Sequence, residues 1–208
     1  MTIADMMTDR LLQRPRGRIA RMWWRDMKAH HGIFRDTLEA LDLTPDDHLL
    51  EIGCGGGTFV KWALATGCRA TAVDHSVDMV ELAKSNNADA VRAGGLDVVC
   101  APAENLPFPE GQFTCAALMN VLFFLDAPAA LTELKRVLAP GGRAVVHTVA
   151  PNPPAKVVPP TMAKRMRLYG DEELLACFTA SGFTDGHLTR IDGAYQLVTA
   201  TAKAAGRV

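Results

Sequence analysis

The chain has 208 residues, 49% hydrophobic and 22% charged, with a formal net charge of −1. That length supports one domain with a full core, and the near-neutral balance excludes a protein drawn to nucleic acid or membrane by its global field. No apolar run approaches the ~20 residues of a membrane helix, and the first residues lack the apolar core of a secretory signal, so a cytoplasmic protein without stable membrane association is expected.

In chain order, residues 1–40 read as helical and broken near Pro15-Arg16-Gly17, with Ile19, Met22, Trp23 and Met27 on one apolar stripe. The segment reads as a cap whose basic residues form a solvated face rather than a nucleic-acid or lipid surface. "HLLEIG" is short, apolar and stopped by glycine, as in a buried strand. "TFVKWALAT" has helical spacing and stops at Gly67, and "RATAVD" is a second strand ending on Asp74. Ser76 is a good N-cap for "VDMVELAKSNN", whose Val77, Val80 and Ala83 share one side. "LDVVCA" and "FTCAALM" read as the third and fourth strands. "APAALTELKRVLAP" is an amphipathic helix closed by Pro140-Gly141-Gly142, and "RAVVHTV" is the fifth strand. A proline-rich stretch follows, with "PNPP" read as loop, then the helix "DEELLACFTASGF". Two β-rich runs joined by Asp192-Gly193 carry a strong hairpin signal.

Strands alternating with helices predict an α/β fold: a Rossmann-like, doubly wound, mostly parallel seven-stranded sheet with a C-terminal antiparallel hairpin and N-terminal capping helices. The single domain divides into a helical cap (1–40), a cofactor-binding core (41–150), a substrate-cap segment (151–170) and a terminal helix and hairpin (171–208). Cys54, Cys68, Cys100, Cys115 and Cys177 are odd in number and widely spaced, which reads as reduced thiols. No metal site is expected, because no set of His, Asp, Glu or Cys has ligand spacing.

The turn after the first strand places Gly53, Gly55, Gly56 and Gly57 within five positions. A glycine turn there is the usual nucleotide site of a doubly wound sheet, and Asp74 sits where an acid accepts ribose hydroxyls. The glycine spacing departs from the dinucleotide fingerprint. Glu51 lies two residues before the turn, where a carboxylate would repel a pyrophosphate but welcome an ammonium group. S-adenosylmethionine has the ribose hydroxyls and the ammonium, and no phosphate.

With these residues in place, the sequence resembles the class I S-adenosylmethionine-dependent methyltransferases, in the small-molecule branch with the ubiquinone and menaquinone biosynthesis enzymes. The resemblance runs from about residue 30 to 202 and is carried by "LLEIGCGGG", "AVDHSVDMVELAK", "APAENLPFPEGQFT", "NVLFFL" and "LKRVLAPGGRAVVHTV" in that order. It implies that Gly53, Gly55 and Gly57 let backbone approach the methionine part, with Glu51 reaching its ammonium directly or through water. Asp74 would hold the ribose diol, His75 and Met79 would flank the adenine, and Ala103 would offer its amide to the ring beside Glu104. Asn120 would sit near the methionine amine through its backbone carbonyl.

Two departures bear on the site. Pro102 stands where relatives carry an acid that receives the adenine amino group, and Phe123-Phe124 stand where relatives carry histidines, which suggests an apolar acceptor pocket. A third, Phe113-Thr114 in place of Phe-Asp, falls at a position of structural importance.

Trp24, Phe124 and Tyr169 are candidates for contact with the substrate, and His30 or His31 for a general base. His147 reads as a satisfied interior group, and His48 and His187 as surface residues. A phenol or alcohol acceptor needs such a base, whereas an amine or thiol near its pKa does not. The expected activity is methyl transfer to a small, partly apolar molecule. The alternative is a protein of the same fold that binds S-adenosylmethionine or S-adenosylhomocysteine without transferring a methyl group, as a cyclase, isomerase or binding module.

Overall fold

A computed structural model describes residues 28–204 together with Gly17, Met22 and Trp24. The expected positions of Ile19, Trp23 and Met27 on a helical stripe lie outside the described residues; Met22 is 74% exposed. A 3₁₀ turn, Lys28–His30, leads into helix α1 (His31–Leu41). Then come β1 (His48–Ile52), α2 (Thr58–Ala63), β2 (Arg69–Asp74), α3 (Val77–Asn86), α4 (Ala88–Arg92) and β3 (Leu96–Cys100). The second half holds β4 (Phe113–Met119), α5 (Ala127–Val137), β5 (Leu138–Val149), α6 (Pro160–Ala163), α7 (Asp171–Ala180), β6 (Phe183–Ile191) and β7 (Tyr195–Ala202).

The seven strands form one sheet in the order β3-β2-β1-β4-β5-β7-β6. The first five pair in parallel, and β7 runs antiparallel to both β5 and β6. The central strands are apolar along their length because helices cover both faces. Leu50, Phe113, Leu118, Leu131, Leu134 and Phe178 belong to the core beneath α5 and α7. Ile33, Phe34, Phe59, Val60, Val80 and Cys115 belong to the core beneath α1, α2 and α3. The hairpin between β6 and β7 turns with Asp192 and Gly193 in positive φ (49° and 67°), as the Asp-Gly pair predicts.

Three elements differ from expectation. α5 ends at Val137 rather than running to Pro140, because Leu138 turns extended and pairs with Phe113; a register irregularity then absorbs the glycines before Cys115 pairs Arg143. The short α4 has no counterpart in the sequence reading. On α3, Val77 is 66% exposed and the buried residues are Met79, Val80, Leu82 and Ala83, so the buried side is rotated from the one expected.

At the edge where β1 and β4 begin, Thr114 donates from its hydroxyl to Asp47 (2.7 Å) and Arg143 donates to the other Asp47 oxygen (2.9 Å) and to the Leu41 carbonyl (3.1 Å). Thr114 also accepts the His48 amide (3.0 Å). Thr114 thus joins the starts of β1 and β4 through Asp47 and the His48 amide. Burial alone would raise the Asp47 carboxyl; hydrogen bonds from Thr114, the Thr44 amide, Arg143 and the Thr44 hydroxyl outweigh it and hold the group at about 2.

Candidate functional site

A cavity of about 500 Å³ opens where the parallel strands end, beside the turn from β1 to α2. Ligand sites in open α/β sheets form at this edge because the chain departs there to opposite faces. The turn is built by backbone bonding. The amides of Gly53 and Cys54 both donate to the Val73 carbonyl (2.8 and 3.0 Å), and the Gly55 amide donates to Asp74 Oδ2 (3.0 Å). Asp74 Oδ1 accepts the Ser76 amide (2.9 Å), so the carboxylate ties the glycine turn to the start of α3 while each oxygen keeps capacity for a further bond. A Cβ on Gly55 would lie 2.9 Å from the Trp24 ring, and one on Gly56 would run into the Trp24 carbonyl. Trp24 therefore rests on the turn, and glycine is what lets it do so.

Glu51 is 2% exposed at the foot of this cavity, and its Oε2 has no hydrogen-bond partner. Burial first, then the Asp74 charge, push its carboxyl well above the ordinary range, against the Val60 amide that donates to it. Asp74 is raised in the same direction, mainly by burial, with the Ser76 and Gly55 amides opposing. Asn120 follows β4 in the left-handed region (φ 54°), a conformation asparagine tolerates; its amide donates to the His147 carbonyl (2.8 Å), and its buried Oδ1 has no partner. Two orphaned oxygens at neighbouring strand exits mark a place that a donor-rich, cationic group would complete.

Most of the expected site residues meet here. Glu51, Gly53, Gly55, Asp74, His75, Ala103, Glu104, Asn120, Trp24 and Phe124 all line the cavity, as does Pro102. The Ala101 amide is taken by the Asp74 carbonyl, whereas the Ala103 amide is in no backbone bond of the turn. Ala103 thus remains a donor beside Pro102, which has none.

Four expectations are corrected. Met79 does not line the cavity; it is fully buried with Leu82 against Trp24, beneath the glycine turn. Gly57 does not line it either: a Cβ there would meet Asn87 and Ala83, so this glycine serves the contact between α2 and α3. Tyr169 is 2% exposed in the core under α5 and α7 and cannot touch a molecule in the cavity. Of the two candidate bases, His30 lines the cavity and His31 does not; His31 packs on Trp62 with ring centroids 4.7 Å apart.

His30 stands edge-on to Trp24 and Phe34, and burial lowers its pKa, which leaves a neutral imidazole able to accept a proton. His147 is interior as expected but unsatisfied, with Nδ1 unpartnered and its pKa brought down to about 4 by burial and by His30. His187 is exposed, but His48 is half-buried, bonded to Thr71 (3.0 Å) and packed at a tilt against Phe113.

Tyr195 was missed. It heads β7, which runs antiparallel, so its first residue lies at the edge where the parallel strands end; it pairs with Val149 and lines the cavity. The Asp192-Gly193 turn immediately before it was the available signal. Phe123, Val149, Val158 and Met166, with Phe124 and Met162, make the outer chamber apolar. Among the described residues no group of three or more His, Cys, Asp or Glu could hold a metal, and no helix is long and apolar enough to cross a membrane.

Residues 50–146 match the family described as Methyltransferase domain. The demethylmenaquinone methyltransferase of Mycolicibacterium vanbaalenii is 28% identical over 199 residues, covering 82% of each chain. Other curated relatives are matched over less of their length, from 20% to 59% for the first of them. Among solved structures, a SAM-dependent methyltransferase from Aquifex aeolicus aligns with a TM-score of 0.75 at 16% identity, covering 90% of this chain and all (100%) of that one. The [4+2]-cyclase SpnF aligns at 0.71 and 20% identity, covering 84% and 81%. At such identities the structural likeness establishes the fold alone. Residues 50–146 thus match the methyltransferase domain family, and the chain resembles the class I S-adenosylmethionine-dependent methyltransferases, those of quinone biosynthesis among them.

Proposed function

We propose that the protein transfers a methyl group from S-adenosylmethionine to a small, partly apolar molecule. The observation that carries this reading is the buried Glu51 carboxylate with an unpartnered oxygen, set beside Asp74 and the glycine turn in a cavity that continues into an apolar chamber. Glu51 and Asn120 would hold the amino-acid end, Asp74 the ribose, and the Ala103 amide with Glu104 and His75 the adenine. When bound, that cofactor supplies an electrophilic methyl group on a sulfonium. Charge is dispersed as the methyl group moves, so the residues that exclude water from the chamber assist the step. Alignment of the acceptor by those residues can supply roughly 7–11 kcal/mol of the barrier.

Calorimetry tests the cofactor. Asp74→Ala should bind S-adenosylmethionine at least about tenfold more weakly than the unaltered chain, a loss of ~1.4 kcal/mol. Unchanged affinity would remove Asp74 from the site. The second reading, cofactor binding without methyl transfer, is favoured by the fold shared with the SpnF cyclase. An acceptor library offered with methyl-labelled cofactor separates the two: tight binding with label reaching no acceptor selects the second.

A further inference from the structure

The next step rests on methyl transfer as proposed above and concerns the acceptor. Among the described residues lining the cavity there is no Lys or Arg, and the carboxylates Glu51, Asp74 and Glu104 stand at the glycine-turn end. The outer chamber, walled by Phe123, Val149, Val158 and Met166, includes Tyr195, and His30 lines the same cavity beside Trp24 and Phe34. Neither the His30 ring nor the Tyr195 hydroxyl makes a hydrogen bond to another described residue. His147 relates the two: its ring centroid is 5.1 Å from that of Tyr195, and it is close enough to His30 for a charge there to be felt.

This arrangement selects among acceptors. An anionic acceptor would find no cation in the chamber. A cationic amine would find no carboxylate among the outer-chamber residues, only the His30 imidazole and the Tyr195 hydroxyl. A neutral hydroxyl has a proton for an acceptor and a lone pair for a donor, and the chamber offers one of each. We infer that the acceptor is an uncharged apolar molecule bearing a phenolic or enolic hydroxyl, held between His30 as proton acceptor and Tyr195 as hydrogen-bond donor, with its oxygen the methylated atom. His30 takes the hydroxyl proton. The oxygen's electron pair forms the bond to the methyl carbon, and the pair of the broken carbon–sulfur bond stays on sulfur as a neutral thioether. His30 then releases the proton to water.

The probes are para-cresol, a phenol that stays uncharged near neutral pH, and its methyl ether, para-methylanisole, titrated against the cofactor-free full chain and followed by calorimetry. The phenol should bind at least about fivefold more tightly than the ether, a difference of the size of one hydrogen bond. Tyr195→Phe and His30→Gln should each reduce that preference while leaving affinity for the ether within about twofold of the unaltered chain, which shows that the chamber is still folded. With S-adenosylmethionine present, the unaltered chain should convert the phenol to the ether. Equal binding of the two probes, a preference that survives both substitutions, or a product methylated on carbon would overturn the inference. Calorimetry with S-adenosylhomocysteine on the same samples separates the levels: binding without phenol preference overturns this inference alone, and no binding overturns the methyl-transfer reading beneath it.

Discussion

Glu51 lies under the cavity floor with one oxygen unpartnered, and both its burial and the Asp74 charge favour its protonated form. Between the ordinary carboxyl pKa and the raised native one, the folded chain binds more protons than the unfolded chain, so stability falls as pH rises through that window. Glutamine has the same shape and no charge to desolvate. The cofactor-free Glu51→Gln protein should therefore melt above the unaltered chain at alkaline pH, with the gap closing as pH falls toward the ordinary carboxyl value, where the unfolded chain's carboxyl is protonated too. The same substitution removes the partner proposed for the ammonium group, and S-adenosylmethionine affinity should fall about tenfold or more. Thermal scans and calorimetry on one pair of proteins read both effects. A lower melting temperature with unchanged affinity would make Glu51 an ordinary structural acid.

Among the elements, α3 does more than cover the sheet. Ser76 caps it by accepting the Met79 amide, and two asparagines at its far end staple the glycine turn. Asn86 donates to the Gly56 carbonyl (2.8 Å), and Asn87 to the carbonyls of Gly57 (3.1 Å) and Ala83 (2.9 Å). Ser76→Ala should cost about 1 kcal/mol in urea unfolding, the usual worth of an N-cap. Gly57→Ala meets two penalties: φ is +74°, and the new Cβ would lie 2.7 Å from Asn87 Nδ2. A loss of ~2 kcal/mol or more is expected from strain and overlap together. Asn87→Ala removes that overlap while leaving the Gly57 carbonyl short of a donor. The double variant should thus be less destabilised than the two single losses added, by about 0.5 kcal/mol or more. Additive losses would show that α2 and α3 do not meet through this pair.

For the whole molecule, pH tests how the buried groups add. His147 is neutral in the fold with a pKa of about 4, below the ordinary histidine value of 6.5, while the unfolded chain protonates normally. The unfolded state binds the extra proton between those values, so stability is full above about pH 6.5 and declines as pH falls toward 4, by up to roughly 3 kcal/mol. His30, also lowered, adds in the same direction. Asp47, held at about 2, contributes stability above the ordinary carboxylate pKa that is lost as pH falls toward 2. Urea midpoints measured from about pH 7 to pH 4 should fall for the unaltered chain and fall less steeply for His147→Leu. Parallel slopes for the two proteins would mean that His147 is accessible to protons in the native state.

Much of this protein is written in its local sequence. Apolar runs stopped by glycine, helical spacing between them and the Asp192-Gly193 turn together determine a seven-stranded doubly wound sheet. Glu51, Gly53, Gly55, Asp74 and Asn120 are legible as a site because strand ends and the turns after them are defined by neighbouring residues. What the chain alone leaves undecided is which buried side chain meets the cavity. Met79 and Gly57 sit on the motif yet face α3's own packing, Tyr169 is swallowed by the core under α5 and α7, and Tyr195 reaches the chamber although nothing beside it in sequence belongs there. Choosing His30 over His31 took the packing of His31 on Trp62, a residue 31 positions away in the chain. Periodicity reports burial relative to an element's own axis, whereas a cavity wall is assembled from elements distant in sequence, and only their packing decides which buried face opens onto it.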